Sequence, residues 1–60
     1  MLFFDVVPGA FVRLASQPGW GLGQVQSLIG AKATVNFEER GKVVINLEEI
    51  ELEVVDEPEA

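Results

Sequence analysis

Six glycines, at positions 9, 19, 21, 23, 30 and 41, cut the chain into short pieces, and that spacing limits the fold more than any other feature. A glycine inside a helix costs about 1 kcal/mol relative to alanine. The intervening residues are rich in Val, Ile, Thr and Phe, which lose rotamer freedom in helices and pack well on pleated strands. Outside the Glu-rich C-terminal part, no dozen residues free of these breaks put apolar side chains at i, i+3, i+4 and i+7. The chain therefore reads as short strands joined by turns.

Alternation places the strands. Over Ala10–Leu14, Val12 and Leu14 face inward while Phe11 and Arg13 face out. A polar loop, Ala15-Ser16-Gln17-Pro18-Gly19, carries a Pro-Gly turn signal. The strand over Gly21–Ile29 has Val25 and Leu28 three residues apart, which breaks strict alternation; a β-bulge at Gln26-Ser27 reconciles them. Gly30-Ala31 makes a tight turn into Lys32–Phe37, where Ala33, Val35 and Phe37 share the inner face. Glu38-Glu39-Arg40-Gly41 is a second hairpin loop, with Gly41 supplying positive φ. Lys42–Leu47 follows, with Val43, Ile45 and Leu47 inward, and a last strand alternates Ile50, Leu52 and Val54 with Glu51 and Glu53.

A helix over residues 47–55 is the rival for that last element, because Leu47, Ile50 and Val54 also recur at helical spacing. The strand is preferred because removing it leaves a sheet edge uncovered. Five short strands with tight loops predict an all-β fold, a small five-stranded SH3-like barrel spanning residues 8–55. Residues 1–7 read as an apolar arm or extra strand, and residues 56–60 as an acidic disordered tail.

A 60-residue chain buries only about 60% of the surface its unfolded form exposes. Small domains commonly add disulfides, a metal or a partner surface. The absence of Cys and His removes disulfides, thiolate sites and the commonest zinc ligand, so close β-packing or self-association is left as the stabiliser. No cofactor is expected. The N-terminus Met1-Leu2-Phe3-Phe4-Asp5-Val6-Val7 lacks the positive flank of a signal peptide, and no run approaches the roughly 20 apolar residues of a spanning helix. These features predict a soluble cytoplasmic protein without a membrane segment.

Net charge is −6, unevenly placed. Residues 48–60 hold seven acids and no base; the other three acids lie among residues 1–47 with all four bases, giving 4 − 3 = +1 there. Phosphate binding rests on clustered Lys and Arg, so this balance argues against tight nucleic-acid binding. The acidic stretch lacks the Asp/Asn-rich, Gly-centred spacing of a calcium loop and reads as a solvated strand face plus tail.

Trp20-Gly21-Leu22-Gly23-Gln24-Val25 is the most distinctive segment. A nucleotide-binding reading of Gly-x-Gly needs a third glycine opening a helix, and no helix follows. Trp20 is the only Trp; it either plugs one end of the barrel or anchors a partner, as Trp does at interface hot spots. An aromatic cage needs several converging rings, which one Trp, four Phe and no Tyr do not readily supply. Arg13, Arg40 and Lys42 are ordinary surface charge or, with Trp20, a partner-binding rim near one barrel end. Ser16, Ser27 and Thr34 have no His to activate them, and Glu38-Glu39 lies in a loop with no apolar pocket. Catalysis is not expected.

The runs Pro8-Gly9-Ala10-Phe11-Val12-Arg13, Pro18–Ser27, Thr34-Val35-Asn36-Phe37 and Gly41–Ile45 resemble a family of short alphaproteobacterial proteins of unknown function. Their broader pattern is similar to the Tudor-like C-terminal domain of UvrD/PcrA-type DNA-repair helicases. More distantly it resembles the CarD-type RNA-polymerase-interacting domain. The resemblance implies an SH3/Tudor-like barrel that docks on the bacterial transcription or DNA-repair machinery, with RNA polymerase the leading partner. It also implies that Gly21, Gly23, Val25, Phe37 and Gly41, with Trp20, serve mainly to set the fold. Those relatives often carry His-Pro after the first strand, where this chain has Ala15-Ser16. A small nucleic-acid-binding barrel and a homodimer built through residues 2–7 are the alternatives.

Overall fold

The alternation in the sequence becomes one antiparallel sheet in the computed structural model, which describes residues 6–55. The elements are β1 (Phe11–Leu14), a 3-10 turn (Pro18–Trp20), β2 (Gly23–Ile29), β3 (Lys32–Phe37), β4 (Gly41–Asn46) and β5 (Leu52–Val55). Their order across the sheet is β4-β3-β2-β1-β5. The expected arm over residues 2–7 falls mostly, and the expected tail over 56–60 wholly, outside the described residues.

Register fixes which side chains share a face. Val35 lies opposite both Val25 and Val43, and Val12 opposite both Gly23 and Val54. The inner face therefore carries Val12, Leu14, Val25, Ala33, Val35, Phe37 and Ile45, all buried, with Val6, Leu47 and Leu52 completing the core. The pairing of β2 with β3 shifts between Val25 and Ser27. That bulge leaves Gln26 without a partner in the register and keeps Leu28 packed against the core, as the three-residue spacing of Val25 and Leu28 required.

β4 and β5 are the two ends of the strand order, and no ladder joins them among the described residues. Among the described residues the five strands thus form one sheet, without the closing ladder that the barrel expected from the sequence would need. It is nonetheless strongly curled, because a flat layer has no second layer to cover its apolar side, yet Val12, Ala33 and Val35 are fully buried.

Residues 47–55 divide between the two sequence readings. The Asn46 carbonyl accepts from the Glu49 and Ile50 amides at 3.0 and 2.9 Å, and the Asn46 side-chain oxygen accepts from the Glu48 amide at 3.1 Å. Such an Asx-type cap closes a single turn. Ile50 belongs to this turn and is 37% exposed, so the expected strand begins only at Leu52. A longer helix would strip β1 of its partner, since every residue of β1 is matched by one of β5.

Two glycines are required by their surroundings. A Cβ on Gly23 would stand 2.7 Å from both Phe37 Cδ1 and Val35 Cγ1. Those atoms are buried, so only a bare backbone lets β2 cross the core there. Gly21 has φ +79° and ψ −161°, a region essentially confined to glycine. Gly41, with φ +89°, supplies the positive φ expected of the second hairpin loop.

Candidate functional site

One end of the sheet gathers the distinctive residues. Pro18 fixes the start of the 3-10 turn, and Gly21 ends it with its amide donating to the Pro18 carbonyl at 3.2 Å. The turn sets Trp20 half-buried at the core's edge. Its ring stands edge-on to Phe37, with centroids 5.3 Å apart and planes at 64°, a preferred aromatic geometry. The guanidinium carbon of Arg40 lies over the Trp20 ring, 5.3 Å from its centroid, within cation–π range. One ring thus makes two contacts within the chain, edge-on with Phe37 and beneath the Arg40 guanidinium.

Backbone contacts lace the two loops of this end together. The Glu39 amide donates to the Trp20 carbonyl and the Glu38 amide to the Leu22 carbonyl, both at 2.9 Å. The Leu22 amide in turn donates to Glu38 Oε1 at 3.3 Å. Glu38 and Glu39 are thereby drawn toward the Gly21 side of the loop, where a Cβ on Gly21 would come within 3.4 Å of them.

Arg13, Arg40 and Lys42 all sit toward this end, but on different strands. Arg40 is on the β3–β4 loop, Lys42 on β4 opposite Asn36, and Arg13 on β1 opposite Glu53. With adjacent strands about 4.8 Å apart, β4 and β1 are separated by about 14 Å measured along the sheet. Arg40 and Trp20 thus form one cluster with Lys42 close by, and Arg13 stands apart.

Between them the outer face carries a row in register: Lys42, Asn36, Gln24, Phe11 and Val55. A shallow groove of about 200 Å³ opens on this row, lined by Phe11, Leu22, Gly23, Gln24, Asn36 and Glu38. A second hollow of about 340 Å³ lies at the other edge, against Ala15, Glu51, Leu52 and Glu53. Every charged side chain among the described residues is exposed, and none of their polar side chains is buried. No group of three or more acids among them could hold a metal ion.

The sheet also shows which edge could dock a partner strand, a detail the sequence reading left unspecified. The Leu47 amide donates to the Ala31 carbonyl. Alternation of ladder bonds then turns the amides of Lys42, Val44 and Asn46 away from β3, toward the edge that no other strand pairs with among the described residues. Val44 is 62% exposed on the outer face of that edge. The signal was present in the run Val43-Val44-Ile45, where three consecutive apolar residues guarantee that one faces outward.

The family described as a protein of unknown function (DUF3553) matches residues 6–55, all of the described residues. The chain belongs to this family. For DUF3553 the match takes in all five strands, the Trp20 turn and the β4 edge, so the features above belong to the family's own domain. No curated protein and no solved structure matches the chain. No helix among the described residues is long and apolar enough to cross a membrane.

Proposed function

We propose that this domain is a non-catalytic protein-interaction module of SH3/Tudor-like barrel architecture, acting in the cytoplasm. It docks on the bacterial transcription or DNA-repair machinery, with RNA polymerase the leading partner. The observation that carries the reading is the β4 edge: outward-turned backbone groups, an exposed Val44, and the Trp20–Arg40 pair beside its first residue. A strand from a partner added to such an edge gains main-chain hydrogen bonds, while neighbouring side chains supply selectivity. Trp and Arg are the residue types most enriched where few side chains carry most of the binding energy. The choice of partner rests on the Trp-Gly-x-Gly-Gln-Val and Gly-Lys-hairpin resemblance to polymerase- and repair-associated domains. The exposure of every charged group among the described residues supports binding over catalysis, since acid–base residues are usually tuned by burial.

The test is affinity capture from the source bacterium with the full chain as bait, compared with Val44→Lys and Arg40→Gln. RNA polymerase subunits recovered with the natural chain and lost with Val44→Lys are the expected result. Recovery without them overturns the choice of partner. A polyanion titration over a range of salt checks the alternative: steeply salt-dependent binding would favour a nucleic-acid role.

A further inference from the structure

The two edges of the sheet that no strand covers among the described residues are chemically unequal. β5 carries Glu53, with Glu51 just before its first residue, and such charges keep edges from pairing with copies of themselves. β4, over Gly41–Asn46, carries Lys42 as its only charge and exposes Val44. From this contrast we propose that β4 pairs antiparallel with β4 of a second copy, about a twofold axis at Val44, joining the two sheets into one. The inference rests on the reading of β4 as the docking edge and adds that the chain itself is an occupant, so that self-pairing and partner binding exclude each other.

The register follows from the outward-turned groups. Val44 is the central outward residue, and its N–H and C=O exchange both bonds with those of the other copy's Val44. Lys42 then lies opposite Asn46 of the other copy. The Asn46 carbonyl is already engaged by Glu49 and Ile50 within its own chain, while its amide remains directed outward to meet the Lys42 carbonyl. The ladder is short, about four hydrogen bonds, with the two Val44 side chains packed against each other on the outer face.

Charge supports this arrangement over a shifted one. Antiparallel pairing sets the cationic start of one β4, Lys42, against the turn that ends the other, with Glu48 and Glu49. Glu38 and Glu39, which would oppose this, are held on the Gly21 side of their loop. A ladder this small buries far less than the ~800 Å² per partner of a standard interface, so the dimer forms reversibly.

Sedimentation of the full chain from low micromolar to millimolar concentration reads the association. Val44→Lys and Val44→Glu each place like charges directly opposite at the axis, and each weakens dimerisation about fivefold or more. Mixed in equal amounts they place Lys against Glu, and a heterodimer returns. Circular dichroism confirms that both variants stay folded, as an exposed outer-face position allows. Three results would overturn the proposal: a natural chain that stays monomeric, a dimer indifferent to residue 44 (which points to residues 2–7), or species larger than dimers (which point to β4 pairing with β5). None of these touches the partner reading, which fails separately if capture from the bacterium is insensitive to Val44→Lys.

Discussion

Replacing Gly23 by alanine isolates the cost of a single methyl group at a crossing of backbone and core. Gly23 is not among the glycines with positive φ, so alanine meets no backbone strain. What it meets is Phe37 Cδ1 and Val35 Cγ1 at 2.7 Å and Phe37 Cε1 at 2.8 Å. Phe37 is 2% exposed and Val35 is fully buried, so neither has free space to retreat into. Overfilling a packed core costs about 1–3 kcal/mol, and the gain from removing glycine from a strand offsets about 0.5–1 kcal/mol. The net is about 1–2 kcal/mol, a fall in melting temperature of about 5–15 °C for a domain of this size.

Thermal unfolding followed by circular dichroism measures the fall, and Trp20 fluorescence shows whether Phe37 has moved against it. Gly19→Ala is the control, because it also has no positive φ and nothing lies within 4 Å of its added Cβ; it should stay within about 0.5 kcal/mol of the natural chain. In a Val35→Ala background, where one of the clashing atoms is gone, Gly23→Ala should cost less by about 0.5 kcal/mol or more. A Gly23→Ala chain that melts within about 1 °C of the natural one would refute the close-approach argument.

Three further substitutions probe separate features. Gly41→Ala, at φ +89° with open space around it, should lose about 1 kcal/mol or more through backbone strain alone, measured by urea denaturation. Arg40→Gln should cost about 0.5–1 kcal/mol and shift Trp20 emission, since its guanidinium lies over the indole; unchanged emission would count against the contact. Asn46→Ala removes the acceptor that caps the Glu48 amide and should cost about 1 kcal/mol, with faster hydrogen exchange at Glu48.

Much of the strand layout was legible because one face of each strand had to be buried. Lys32–Phe37 alternates without a break and forms β3 with those limits, and the three-residue step from Val25 to Leu28 correctly marked the bulge. The 47–55 region was ambiguous because Leu47, Ile50 and Val54 suit both periodicities, and a single capped turn before the strand uses each in part. Closure was not legible at all, since strand alternation says which face is buried but not whether the first and last ladders meet. Within the candidate site, the prominence of Trp20 was evident from its glycine-flanked position. Its contact with Arg40, twenty residues along, depended on how two loops are laced by backbone bonds. Val44 went unremarked, although the alternation that turns Val43 and Ile45 inward already turns it outward.

The pairing of β1 carries a kinetic consequence. Its neighbours are β2, which follows after one short loop, and β5, whose Val55 lies opposite Phe11 at the far end of the described chain. Four of that strand's six registered pairs therefore wait for the longest loop closure among the described residues. Proteins dominated by such distant contacts fold more slowly than those built from hairpins. The β2–β3–β4 meander, all local, can form first, and β1 docked between β2 and β5 then marks completion. Stopped-flow refolding should accordingly show that Val54→Ala, on the last strand, speeds unfolding far more than it slows folding.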